Sequence, residues 1–250
     1  MAKQQPRRVL ITGASTGIGA TTAVLLARDG ADIGINYCHS KRAAEAVKRR
    51  VEALGRRAVL YECDVCDPDQ VAAMVDAFVR EFGRIDTLFA NAGGLVKRCP
   101  IVRMPDRLWH QVIALNLDSV FYTVRAVLPH MLKARRGNII VNTSVAARSG
   151  GGGGAVHYAA AKGALVTFVK GLSREVAAHG VRVNAIAPGV TLTPFHEKAT
   201  EPERMERFRQ EAPIGKLGAP EDIARAVTWL AGETNGFITG ETIYIAGGGA

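Results

Sequence analysis

From end to end the chain alternates short apolar, β-branched runs with longer helical patterns, and few folds accept that rhythm. Strand-like segments are read at Arg8–Thr12, Ala31–Asn36, Ala58–Glu62, Thr87–Ala90, Asn138–Asn142, Val181–Ile186 and Thr242–Ile245. Between them lie helical patterns at Ile18–Asp29, Ser40–Leu54, Asp67–Phe82, Asp106–Lys133, His157–His179 and Pro220–Leu230. Several carry their own stop and start signals. Gly55 and Gly180 follow helices as left-handed caps do, and Asp67-Pro68 supplies an N-cap with proline at the first helical position. Near-continuous apolar strands separated by helices require a parallel sheet covered on both faces. The expected architecture is a single α/β domain over residues 1–250, a doubly wound parallel sheet with helices on both faces.

Residues 194–210 break the rhythm, with prolines at 194, 202 and 213 and a high density of charge. Placed over the carboxyl edge of the sheet, where such folds bind ligands, the stretch 190–215 reads as a substrate lid. Composition removes other classes. At 250 residues, 48% hydrophobic and 22% charged, the chain is neither disordered nor a disulfide miniprotein. No unbroken apolar run reaches the ~18 residues of a membrane span. The basic start gives way to strand-like Val9-Leu10-Ile11 rather than to the core of a secretion signal, so a soluble, cytoplasmic protein is expected. The net charge of +9 is densest over Lys41–Arg57 and reads first as a solvated helix face. Specific nucleic-acid binding is not expected, because no helix-turn-helix or RNA-binding motif accompanies that charge. Cys63 and Cys66 have CxxC spacing, but no second ligand pair completes a metal site.

The first strand runs into Thr12-Gly13-Ala14-Ser15-Thr16-Gly17-Ile18-Gly19, and a helix follows. Gly13 permits a tight turn, while Gly17 and Gly19 let backbone approach a pyrophosphate held at the helix N-terminus. The loop is no P-loop, since no Gly-Lys-Ser/Thr follows. Its Gly-x-x-x-Gly-x-Gly spacing resembles the short-chain dehydrogenase/reductase family, a Rossmann-fold group. Further motifs carry the resemblance along Arg8 to Gly248. Asp64-Val65 resembles the family's adenine-contacting pair, which explains the residues inside the CxxC. Asn91-Ala92-Gly93 resembles its Asn-Ala-Gly motif beside the cofactor. Pro188-Gly189-Val190-Thr191-Leu192-Thr193 resembles its segment beside the nicotinamide amide.

At the adenosine end, NAD-preferring sites place Asp or Glu after the second strand. This chain has Asn36-Tyr37-Cys38-His39-Ser40-Lys41-Arg42 there. Asn36, His39, Ser40, Lys41 and Arg42 are candidates to receive a 2′-phosphate, which a carboxylate would repel. NADP(H) is therefore favoured, with NAD(H) possible because Ser15 and Thr16 occupy the places where an arginine is usual.

The reacting end is read from Tyr158-Ala159-Ala160-Ala161-Lys162, whose i,i+4 spacing puts phenol and ammonium on one helix face. A neighbouring ammonium and the positive nicotinamide ring favour phenolate and lower the tyrosine's pKa. The resemblance implies Tyr158 as general acid/base and Lys162 as its partner and ligand of the nicotinamide ribose. It further implies Ser144 as the group polarising the substrate oxygen, and Asn116 as anchor of a water relay to Lys162. His157, Phe195 and His196 are candidates to line the pocket, and the glycine run 150–154 would border it.

The resemblance is greatest to 3-oxoacyl-carrier-protein reductases and glucose-dehydrogenase-like enzymes. It implies reduction of a 3-oxoacyl or other carbonyl to a secondary alcohol, as a homotetramer or, given Ala246 where many relatives carry Asp, a dimer. Oxidation of a sugar or alcohol is the second reading, and a non-catalytic dinucleotide sensor is the third.

Overall fold

A computed structural model describes residues 5–194 and 200–249. Seven strands form one parallel sheet: β1 (Arg8–Ile11), β2 (Asp32–Tyr37), β3 (Ala58–Glu62), β4 (Thr87–Ala90), β5 (Gly137–Asn142), β6 (Val181–Pro188) and β7 (Thr242–Ile245). Their order is β3-β2-β1-β4-β5-β6-β7. The chain thus winds outward one way from β1 and the other way from β4, which opens a crevice between the carboxyl ends of those two strands.

The pleat sends alternate side chains to opposite layers. Val9 and Ile11 pack with Ile33, Ile35 and buried residues of helices α1 (Gly17–Arg28) and α2 (Lys41–Glu52). Leu10 faces the other layer, with Phe78 of α3 (Pro68–Phe82), Val124 of α4 (Asp106–Ala134) and Leu165 of α5 (Val156–Val176). Helices α6 (Pro202–Glu211) and α7 (Pro220–Ala231) follow, α7 returning to the first layer through Ile223 and Val227. The Asp67 carboxylate caps α3 by accepting from the Asp69 and Gln70 amides at 2.9 and 3.1 Å.

Helix α4 departs from the sequence reading twice. It is one helix from Asp106 to Ala134 but winds as a π-helix over Ala114–Asp118. It is also long and apolar enough to cross a membrane by length and composition, although Asp118 and Arg125 break the apolar run. In the fold it serves as a core helix, with Val120, Val124, Val127 and Met131 buried against the sheet.

Candidate active site

The loop after β1 is built around close backbone approach. Gly13 has φ +60°, a left-handed conformation that a side chain would oppose. A Cβ on Gly19 would lie 2.5 Å from the Gly13 carbonyl oxygen and 2.6 Å from Asn91 Nδ2. Asn91 fastens this loop to the end of β4 by donating Nδ2 to the carbonyls of Thr12 and Gly13 at 3.0 and 3.1 Å. In return the amides of Asn91 and Ala92 donate to the Thr12 hydroxyl. Helix α1 then begins at Gly17 with no acidic residue in its first turn and no side-chain cap from Thr16. Ser15, Thr16, Gly17 and Ile18 thus present a helix N-terminus suited to a pyrophosphate. The residues present fit a dinucleotide.

At the adenosine end one expectation is corrected. Asn36 is 2% exposed and its amide is fully engaged: Oδ1 accepts from the Gly13 amide at 3.0 Å, and Nδ2 donates to the carbonyls of Tyr37, Tyr61 and Cys63. It has no donor left for a 2′-phosphate; it holds the phosphate loop to β3. Ser40 precedes α2 without capping it, so its hydroxyl is not committed there, and Lys41 and Arg42 occupy the first turn. Asp64 Oδ1 accepts from the Cys66 amide at 2.9 Å, beside buried Val65. Burial pushes the thiols of Cys63 and Cys66 up to about 12, far above neutral pH.

At the other end Tyr158, Lys162, Ser144 and Asn116 come together. Thr143 Oγ1 donates to the Lys162 carbonyl at 2.7 Å, fixing the end of β5 to α5. Ser144 is hydrogen-bonded to the Tyr158 hydroxyl, and the Lys162 ammonium lies 5.8 Å from the Tyr158 ring centroid. Lys162 Nζ donates to the Asn142 carbonyl at 2.7 Å. Asn116 is fully buried in the π-helical turn; its Nδ2 donates to the carbonyls of Gly94 and Val112, and its Oδ1 accepts from the Gly94 amide. Gly93 separates the two groups: a Cβ there would stand 2.8 Å from Asn116 Oδ1 and 3.1 Å from Lys162 Nζ.

The electrostatics differ from the sequence expectation. Burial pushes Tyr158 up to about 12, and only the Ser144 hydrogen bond acts to lower it. Lys162 is itself drawn down to about 7 by burial. The lysine therefore gives the phenol little stabilisation among the chain's own groups.

The segment after β6 crosses back toward the phosphate loop. Gly189 donates to the Ile245 carbonyl at 2.9 Å, and Thr191 pairs with Gly218. Thr191 Oγ1 donates to the Gly189 carbonyl and Thr193 Oγ1 to the Thr191 carbonyl. Thr193 also stands near Gly17, closing the distance between the two ends of the site. His157 is not a pocket residue, being fully buried with Nε2 against the Lys97 carbonyl at 3.0 Å. Phe195 and His196 lie outside the described residues.

The phosphate-loop glycines, the Tyr-x-x-x-Lys pair and the serine at the end of β5 stand along one crevice. A family profile described as enoyl-(acyl carrier protein) reductase matches residues 13–249. The 3-oxoacyl-[acyl-carrier-protein] reductase FabG of Staphylococcus aureus (strain Mu50 / ATCC 700699) is 37% identical over 242 residues, 97% of each chain. The chain belongs to the short-chain dehydrogenase/reductase family. Among solved structures, levodione reductase superposes with a TM-score of 0.93 at 32% identity over 98% of both chains. The NADH-dependent reductase A1-R′ responsible for alginate metabolism does so at 0.90 and 30% identity, again over 98% of both chains. This short-chain dehydrogenase/reductase is an NAD(P)-dependent oxidoreductase.

Sequence reasoning passed over Asn142, which belongs to the site twice: its carbonyl accepts from Lys162, and its Nδ2 donates to Asn91 Oδ1 at 3.0 Å. The only signal was its place two residues before Ser144.

Lys162 gives the site a measurable signature. Between pH 7 and 10.5 an unfolded chain holds a proton on this lysine that the folded chain has lost, so stability rises with pH across that window. Relative to Lys162→Met, the wild-type protein should gain on the order of 4 kcal/mol from pH 7 to 10.5 in urea denaturation. Parallel stability curves for the two proteins would contradict the buried, depressed lysine.

Proposed function

We propose that this enzyme reduces a carbonyl, a 3-oxoacyl compound or another ketone, to a secondary alcohol with NADPH. The observation that carries the reading is the convergence of Tyr158, Ser144 and Lys162 at the end of β5, across the crevice from the phosphate loop. When bound, the nicotinamide supplies the hydride. Tyr158 supplies the proton: its phenol stays protonated at neutral pH, as a general acid must, and its hydroxyl reaches the substrate oxygen. Ser144 donates to that same oxygen as charge builds on it. Lys162 orients the nicotinamide ribose and restores the proton to Tyr158. The Asn116 amide is occupied by Gly94 and Val112, so a water relay anchored there uses its backbone carbonyl, in the π-helical turn where the regular ladder is interrupted.

On the cofactor side, Gly13, Ser15, Thr16, Gly17, Ile18 and Gly19 hold the pyrophosphate, Asp64 and Val65 the adenine, and Asn91, Ala92 and Gly93 stand beside the cofactor and support the sheet there. Pro188, Gly189, Thr191 and Thr193 hold the nicotinamide amide. Preference for NADP(H) is supported by the absence of a carboxylate after β2 and by the Lys41 and Arg42 side chains at the start of α2. NAD(H) is the second reading, favoured by Thr16 in the loop and by the NADH dependence of the A1-R′ enzyme. Residues 190–215 act as the substrate lid. The protein works in the cytoplasm as a homotetramer built on the faces of α4 and α5, where Phe121 and Val156 are exposed, and on the edge at β7.

Two experiments test the reading. Tyr158→Phe should keep dinucleotide binding and lose roughly 10²–10⁴-fold in kcat; turnover near the wild-type rate would remove Tyr158 from its role. In a fluorescence titration NADPH should bind at least about tenfold tighter than NADH, a difference of ~1.4 kcal/mol. Tighter NADH binding would overturn the cofactor preference and favour oxidation of an alcohol.

A further inference from the structure

Ser144 and Tyr158 are joined by a loop whose five consecutive glycines, Gly150 to Gly154, all have positive φ, between +50° and +78°. Such a run is costly to order, and no other residue type adopts it readily. What the loop achieves is access. A Cβ on Gly153 would strike the guanidinium of Arg204, 2.5 Å from Nη2 and 2.9 Å from Cζ. The bare backbone lets Arg204, from the first turn of α6, lie flat on the loop five residues before Tyr158.

A second guanidinium stands beside it. Arg98, in the segment after β4, donates Nη1 to the carbonyls of Gly152 and Gly153 at 3.2 and 3.3 Å. The Cys99 amide donates to the Gly154 carbonyl at 2.8 Å, so this segment and the loop form one wall. Burial and the neighbouring charge of Arg204 both hold the Arg98 pKa below the usual arginine value. Arg204 stacks on Phe208, 5.5 Å from the ring centroid, yet its Nε is buried without a hydrogen-bond partner. Among the described residues no carboxylate pairs with Arg204; Glu201 and Glu203 on the same segment are exposed to solvent. The first turn of α6 is moreover the end of a helix where a cation is least favoured. Two guanidiniums thus meet on the loop joining the two side chains that face the substrate carbonyl.

We propose that the substrate carries an anionic group, carboxylate or phosphate, several bonds from its carbonyl, and that Arg204 binds that group. Arg98 is the positioning residue that holds the glycine loop beneath it. The inference rests on the carbonyl-reductase reading of the same site and adds the charge class of its substrate. A planar guanidinium lying on bare backbone offers a paired donor edge that an ammonium lacks, which suits either anion.

The experiment compares oxo acids with their methyl esters as substrates for NADPH oxidation: 2-oxobutanoate, 3-oxobutanoate, 4-oxopentanoate and 5-oxohexanoate. Acetoacetyl-phosphopantetheine against acetoacetyl-pantetheine supplies the phosphate arm. The wild-type enzyme should prefer the anion of at least one pair by roughly 10–100-fold in kcat/KM, mostly through KM. The pair with the largest preference identifies carboxylate or phosphate and its distance from the carbonyl. Arg204→Gln should abolish that preference and Arg204→Lys should restore part of it. Reduction of the neutral partners with no preference for any anion, or a preference that survives Arg204→Gln, would overturn this inference and leave the reductase reading standing. An enzyme that binds NADPH but reduces none of these compounds would overturn both.

Discussion

Everything at the carboxyl edge of the sheet depends on asparagine amides, those of Asn36 and Asn116 buried and those of Asn91 and Asn142 half-buried, that hold loops where no regular ladder can. Asn36 ties the phosphate loop to the end of β3, and Asn91 ties it to β4. The Asn142 amide ties Asn91 to β5 while its backbone carbonyl accepts from Lys162, and Asn116 ties Gly94 to α4. An amide has both donors and acceptors, so Asn36, Asn91 and Asn116 each satisfy two or more backbone groups that strand ends leave unpaired. Removing one would leave those groups buried and unsatisfied, at about 1–3 kcal/mol each. The chain therefore uses neutral hydrogen-bonding groups to assemble a site whose charged members are few and costly.

Lys162 shows that cost. Buried at 2% exposure with its ammonium donating to the Asn142 carbonyl, it is drawn down to about 7, while burial drives Tyr158 the other way.

Much of this was legible in the sequence because it is local. Strand and helix order, the glycine loop and the Tyr158–Lys162 spacing each depend on residues within a few positions of one another, and the structure places them as read. What escaped is non-local. The four partners of Asn36 lie on two strand ends and a loop, so its sequence position at the end of β2 pointed to the ligand instead of the scaffold. His157 looked like a pocket residue beside Tyr158, but its helical face turns into the protein toward Lys97. The π-helical turn at Asn116 has no periodic signature, since the apolar pattern of α4 continues through it. Among the chain's own groups the expected lowering of the Tyr158 pKa does not appear, because burial, a non-local property, acts on both Tyr158 and Lys162.

The central claim, that this crevice carries a hydride between a nicotinamide and a carbonyl carbon, is tested most directly by isotope transfer. Purified enzyme would be incubated with a ketone it turns over and NADPH deuterated at both C4 positions, and the alcohol analysed by mass spectrometry. The account predicts one deuterium per alcohol, bound to the carbinol carbon, with none appearing when Tyr158→Phe replaces the wild-type protein over the same interval. Alcohol formed without deuterium on that carbon would contradict direct hydride transfer and, with it, the reading of the site.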